Sequence, residues 1–290
     1  MFQGMMVALV TPFKDDLTVD YDKLEELIQW HVDQGTDGLI ILGTTGESPT
    51  VTHDEHNEII SFAIQKADGR LPVIAGTGSN CTAEAVAMTR HAAKAGASGS
   101  LQVCPYYNKP TQEGLYRHFK TVAESADIPV ILYNVPGRTG GKGLEPETVA
   151  RLAEVNNVAA VKEASGSLDQ SSAIASICDL VILSGDDSLT LPIMSVGGRG
   201  VISVVGNIVP ADLKKMVDLA LDNNFEDAGA MHRKLFPLCR AMFFETNPIP
   251  VKTSMKLMGM INGALRLPMC PMAQGNVEKL RGALSDYGLL

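Results

Sequence analysis

Several features are missing from this 290-residue sequence, and each absence narrows what it can be. No apolar run approaches the ~20 residues that a helix needs to cross a bilayer. The opening stretch carries no basic leader and soon meets Pro12 and Lys14, so it reads as a first strand and not as a secretion signal. Positive charge is short: 24 Lys and Arg face 33 Asp and Glu, a formal net charge of −9. That balance argues against nucleic acid or an anionic membrane as the main partner. Cysteine is sparse and odd in number, at Cys81, Cys104, Cys178, Cys239 and Cys270, with no C-x-x-C spacing. Neither a disulfide framework nor a cysteine metal site is expected, and a reduced, cytoplasmic setting is the simpler reading. Low-complexity linkers are absent too.

What remains is an ordinary globular composition, 45% hydrophobic and 20% charged. Short apolar, β-rich runs alternate with longer stretches of helical periodicity. The runs are Met5–Val10, Gly38–Leu42, Leu71–Ala75, Gly99–Cys104, Pro129–Tyr133, Val158–Val161, Leu180–Leu183 and Gly200–Val205. They are almost continuously apolar, as parallel strands covered on both faces must be. Amphipathic stretches such as Asp20–Gln34, His53–Lys66, Thr82–Lys94, Gln112–Ser125 and Glu145–Val155 separate them. Thr52-x-x-Glu55 has the form of a capping box, Thr111 stands at another helix start, and Gly35 and Gly96 sit where helices should end. Eight such units predict a closed (β/α)8 barrel over residues 1–224. From 225 to 290 only helical patterns remain, at Glu226–Phe244, Pro250–Ile261 and Gly275–Leu284, and they predict a three-helix appendage.

Reactive groups in such a barrel come from the C-terminal ends of the strands and the loops that follow. Lys162 follows Val158–Val161, where burial would disfavour the ammonium and leave a nucleophilic amine suited to Schiff-base chemistry. A strand-end lysine paired with Glu163 or an aspartate fits its position equally well. Tyr133 leaves the neighbouring strand on the same rim, and with Thr44 and Tyr107 it could relay protons; an aromatic ring capping the barrel is the commoner fate of such a tyrosine. Thr44-Thr45-Gly46 offers hydroxyls and backbone N–H groups to a carboxylate, though it also suits a plain turn. Arg138, in a glycine-flanked loop, could grip a carboxylate in two places or simply be solvated. Gly185 ends the seventh strand, within reach of a bound substrate. The glycine cluster at 197–200 precedes the eighth strand and should be structural. His53-x-x-His56 lacks a third ligand, so no metal is expected there.

Taken together, Gly43-Thr44-Thr45-Gly46-Glu47, Tyr133-Asn134-Val135-Pro136-Gly137-Arg138-Thr139 and Val161-Lys162-Glu163-Ala164-Ser165-Gly166 resemble the dihydrodipicolinate synthase / N-acetylneuraminate lyase family. The likeness runs end to end, from Gly4, Ala8 and Thr11-Pro12-Phe13 to Asn247-Pro248-Ile249-Pro250-Val251-Lys252 and Leu265-Arg266-Leu267-Pro268. It implies a class I lyase in which Lys162 forms an imine with pyruvate, whose enamine then attacks L-aspartate 4-semialdehyde. No cofactor is implied, because the imine is itself the electron sink. The resemblance casts Tyr133, Thr44 and Tyr107 as the proton relay, with Tyr107 lent by a neighbouring subunit of a homotetramer. It makes Thr45 a contact of the pyruvate carboxylate and Arg138 the anchor of the semialdehyde carboxylate. The Ile202 main-chain carbonyl would line the site. Ser48, His53, His56, Asn80, Glu84 and Tyr106 match positions that hold L-lysine in feedback-inhibited members, with Pro49 an unusual neighbour.

Three rivals compete. A sister lyase of a longer 2-keto acid would share Lys162 and Tyr133 but generally lacks an arginine at the Arg138 position. A catalytically silent, acid-binding regulator should have lost Lys162 or Tyr133. A phosphate-binding isomerase has only the misplaced glycine cluster in its favour.

Overall fold

The computed structural model describes residues 2–290. The eight apolar runs form eight parallel strands: β1 (Gly4–Ala8), β2 (Gly38–Ile41), β3 (Val73–Gly76), β4 (Gly99–Val103), β5 (Val130–Asn134), β6 (Val158–Glu163), β7 (Val181–Ser184) and β8 (Gly200–Ser203). Each pairs with the next and β8 returns to β1, closing the barrel and leaving no free sheet edge. Helices α1 (Tyr21–Asp33), α2 (His53–Ala67), α3 (Thr82–Ala95), α4 (Gln112–Ala123), α5 (Pro136–Thr139), α6 (Pro146–Ala153), α7 (Leu168–Ile177), α8 (Thr190–Ser195) and α9 (Pro210–Leu221) lie between and after the strands. Three more follow: α10 (Phe225–Ala241), α11 (Ile249–Leu257) and α12 (Gln274–Tyr287).

Helix ends are set locally. Thr52 and Glu55 form the reciprocal capping box of α2, and the Thr111 hydroxyl accepts the Gly114 N–H at the start of α4. Gly96 ends α3 with φ +92°, a conformation that costs glycine little.

Side-chain alternation divides each strand between two cores. Met6, Ile40, Ile74, Leu101, Ile131, Ala160, Leu183 and Ile202 fill the barrel interior. Val7, Leu39, Val73, Val130, Leu132, Val161 and Ile182 pack outward against the helices. Each large aliphatic chain buried this way contributes about 1.5–3 kcal/mol relative to exposure. The C-terminal helices share that outer core: Leu238 of α10, Met255 of α11 and Leu284 of α12 belong to the same cluster as Val7 of β1 and Met216 of α9.

Strand β6 ends in Lys162 and Glu163, as their place at the end of the sixth strand implies, and both keep the ladder with Leu183 and Ser184. Two local details depart from expectation. Arg138 sits on the helical turn α5, started by Pro136, and not in an irregular loop. Strand β8 ends at Ser203, because the Asp187 carboxylate accepts the N–H groups of Val204 and Val205 and turns the chain away. Among the described residues no helix is long and apolar enough to cross a membrane.

Candidate active site

Strand parity decides which side chains enter the barrel mouth. Ala160 faces inward, so Lys162, two residues on, does too. Lys162 pairs in register with Tyr133 of β5, and its Nζ lies 4.2 Å from the centre of the Tyr133 ring. Glu163, one residue later, points the other way: its carboxylate accepts from Asn134 Nδ2 at 2.9 Å and from the Ser165 N–H at 2.7 Å. The Lys162–Glu163 pairing weighed from position is therefore not made.

Burial pushes the Lys162 ammonium down to about 7, aided by the Arg138 charge and opposed by the Asp187 carboxylate. Burial also raises the Tyr133 phenol, against the pull of Arg138 and the Thr44 hydroxyl. Asp187 is itself buried and held above the usual carboxylate range by desolvation; one oxygen takes the two backbone N–H groups after β8, while Oδ1 has no partner. Gly185 leaves room for the lysine stem. A Cβ there would stand 3.0 Å from Lys162 Cε and 2.7 Å from Ala164 Cβ. Ile202 is fully buried on β8 in the same interior layer as Tyr133.

The loop after β2 carries Thr44 and Thr45. Thr45 is buried, and its hydroxyl accepts from Asn247 Nδ2 at 3.0 Å. The Asn247 carbonyl in turn accepts from Arg138 Nη2 at 3.2 Å. One residue just before α11 thus ties the hydroxyl loop to the guanidinium, which sits exposed at the mouth. A cavity of about 410 Å³ opens here, lined in part by Thr44, Tyr133 and Arg138. Ser48, His53, His56, Glu84 and Tyr106 line it as well. His56 is buried there, with Nε2 against the Gly76 carbonyl at 2.8 Å, and desolvation lowers its pKa. Asn80 Nδ2 donates to the Tyr106 carbonyl at 3.1 Å, and Glu84 accepts from Ser79 Oγ at 2.7 Å. Tyr107 is 90% exposed with φ +71° and does not line the cavity within its own chain.

A buried amine near neutrality, beside a phenol and under a guanidinium, is equipped to form and protonate an imine on a small keto acid. Residues 1–287 match the model of the dihydrodipicolinate synthetase family. It belongs to that family. The 4-hydroxy-tetrahydrodipicolinate synthase of Persephonella marina is 54% identical over 294 residues, with 100% of both chains covered. The solved chloride-inhibited dihydrodipicolinate synthase of Acinetobacter baumannii, complexed with pyruvate, is 42% identical with TM-score 0.98, again covering 100% of both chains. That of Cyanidioschyzon merolae, with lysine bound, is 41% identical with TM-score 0.96 over 100% of this chain and 99% of the other.

As a member of the dihydrodipicolinate synthetase family the chain is a lyase on a (β/α)8 barrel. Sequence reasoning missed two residues of this member's mouth. Asn247 stands in the sequence only as the first residue of the Asn247–Lys252 motif, and nothing there signals its contact with Thr45. Asp187 carries no signal in the sequence either; its burial marks it as the carboxylate that bears on Lys162. Among the described residues no group of three or more His, Cys, Asp or Glu side chains is placed to hold a metal ion.

Proposed function

We propose that this chain is a 4-hydroxy-tetrahydrodipicolinate synthase, joining pyruvate to L-aspartate 4-semialdehyde through an imine on Lys162. One observation carries the reading: the Lys162 amine, lowered to about 7, projects into the barrel mouth 4.2 Å from the Tyr133 ring. The neutral amine attacks the keto carbon of pyruvate, and water leaves as the imine forms. Thr44 and Thr45 hold the carboxylate, and Gly185 and the Ile202 carbonyl bound the site beyond it. Loss of a methyl proton gives the enamine, whose carbon bonds to the aldehyde carbon. The substrate's own amine then displaces Lys162 and closes the ring. Tyr133, Thr44 and Tyr107 of the partner subunit carry the protons in a homotetramer. Arg138 pairs with the carboxylate of the second substrate. L-Lysine acts as a feedback inhibitor held by Ser48, His53, His56, Glu84 and Tyr106 of the cavity lining and by the neighbouring Asn80.

Reduction with borohydride in the presence of pyruvate should fix the adduct on Lys162, read by peptide mass spectrometry. Lys162→Arg keeps the charge but cannot form the imine, so trapping and turnover should vanish while the fold survives. An adduct on another lysine refutes the assignment. Measured above the pH at which Lys162 titrates, Arg138→Ala should leave trapping by pyruvate intact and weaken use of the semialdehyde by about 1.5–3 kcal/mol, the worth of a charge-assisted pair. Equal loss of both half-reactions would make Arg138 structural and reopen the sister-lyase reading.

A further inference from the structure

Glu47 closes the glycine–threonine motif after β2, and Lys252 closes the Asn247–Lys252 motif. Neither takes part in the chemistry above. Their side chains meet in an ion pair that is 1% and 0% exposed respectively. Desolvating two charges is costly, and apolar replacements of similar volume are often neutral or stabilising. Stability alone is therefore a weak reason for the pair, and its connections suggest another. Lys252 Nζ also donates to the Thr11 carbonyl at 2.9 Å, and the Thr11 hydroxyl donates to the Gly46 carbonyl at 2.6 Å. At the start of the same helix α11, Asn247 holds the Thr45 hydroxyl. Helix α11 thus grips the loop at two points, one on each side of Gly46. The loop needs gripping, because it is flanked by two non-glycine residues in the left-handed region, Leu42 at φ +56° and Glu47 at φ +57°. Such conformations persist only where surrounding contacts over-determine them.

We propose that Glu47 and Lys252 are positioning residues that lock the Thr44–Thr45 loop to α11 and so set the geometry of the pyruvate-carboxylate cradle. The proposal rests on reading that loop as the cradle.

The test is borohydride trapping at graded pyruvate, with thermal unfolding measured in parallel. Two variants are used: the paired Glu47→Leu/Lys252→Met, which removes both charges, and Thr11→Val, which keeps the pair and cuts only its hydroxyl link to Gly46. Wild type must first trap pyruvate on Lys162; its failure would remove the cradle reading itself, and this proposal with it. Given a trapping wild type, both variants should fold with little change in Tm. Half-saturating pyruvate should rise about tenfold or more, as expected for a cradle displaced by a fraction of an ångström, while the trapping rate at saturation stays near wild type. Unchanged half-saturation in the folded variants overturns the proposal, whether or not Tm falls. If the paired variant does not fold, Glu47→Gln, which keeps the side chain's shape and removes its charge, replaces it under the same criterion.

Discussion

An ordinary lysine, with a pKa near 10.4, is neutral at pH 7 in only about one molecule in a few thousand. Burial at the barrel mouth brings Lys162 to about 7, so a far larger share of the molecules holds a free amine near neutrality. Two neighbours pull in opposite directions: the Asp187 carboxylate stabilises the ammonium, and the Arg138 guanidinium destabilises it. The rate of pyruvate trapping should therefore rise with pH through about 7 and level off above it, since only the neutral form attacks. Asp187→Asn removes the stabilising charge and should move that midpoint to lower pH. Arg138→Ala removes a like charge and should move it to higher pH. A pH series of trapping rates on the three proteins checks this. Midpoints that fail to separate in those directions would mean that charge does not tune the amine. Desolvation has the larger influence, so the shifts should be smaller than the displacement burial itself causes.

Strand β7 contributes by what the residue just after it lacks. At Gly185 a methyl group would stand 3.0 Å from Lys162 Cε and 3.1 Å from Cγ, closer than packed carbons tolerate. Gly185→Ala should displace the lysine stem and slow trapping at saturating pyruvate, at a stability cost of about 1–3 kcal/mol typical of overpacking. Thermal unfolding together with single-turnover trapping separates the two effects; a wild-type trapping rate would show that the stem has room to yield. The same strands explain how far the sequence could be read. Eight apolar runs and their intervening helices were plain because burial on both faces removes polar residues from parallel strands. That same uniformity hid the parity: nothing in Val130-Ile131-Leu132-Tyr133-Asn134 says that Tyr133 turns inward and Asn134 outward. Lys162 stands out as a candidate because it is a charge at the end of an apolar run, whereas Arg138 in its glycine-flanked loop stays open between a carboxylate grip and solvent, and only the resemblance suggests roles for both. The Asn247–Thr45 and Lys252–Glu47 contacts join positions 202 and 205 residues apart, so only the closed fold could bring them together.

Across the whole molecule, one cavity gathers groups of different chemistry. Thr44, Tyr133 and Arg138, assigned above to the two substrates, line it together with Glu84, His53, Ser48 and Tyr106, which add a carboxylate, an imidazole and hydroxyls. Free L-lysine presents a carboxylate and two ammonium groups, and this second set suits them. His56 commits Nε2 to the Gly76 carbonyl, which leaves only Nδ1 for a ligand. The two sets are joined through the chain itself. Ser48 lies four residues beyond Thr44 across the Leu42–Glu47 loop, and Tyr106 adjoins Tyr107, whose exposed ring suits contact with a second subunit. A ligand that orders Ser48 and Tyr106 thus bears on both the pyruvate cradle and the proton relay. Couplings of this sort are typically about 1–3 kcal/mol, so inhibition should be partial and should not vanish at saturating pyruvate. A lysine titration of turnover at several fixed pyruvate concentrations, on wild type and Glu84→Ala, measures this. The variant should need about tenfold more lysine or greater, because a carboxylate that pairs with an ammonium is lost, while its uninhibited turnover stays near wild type. Inhibition that pyruvate competes away completely would place lysine at the Thr44, Tyr133 and Arg138 groups instead. Inhibition unchanged by Glu84→Ala would leave Glu84 and its neighbours without a regulatory role.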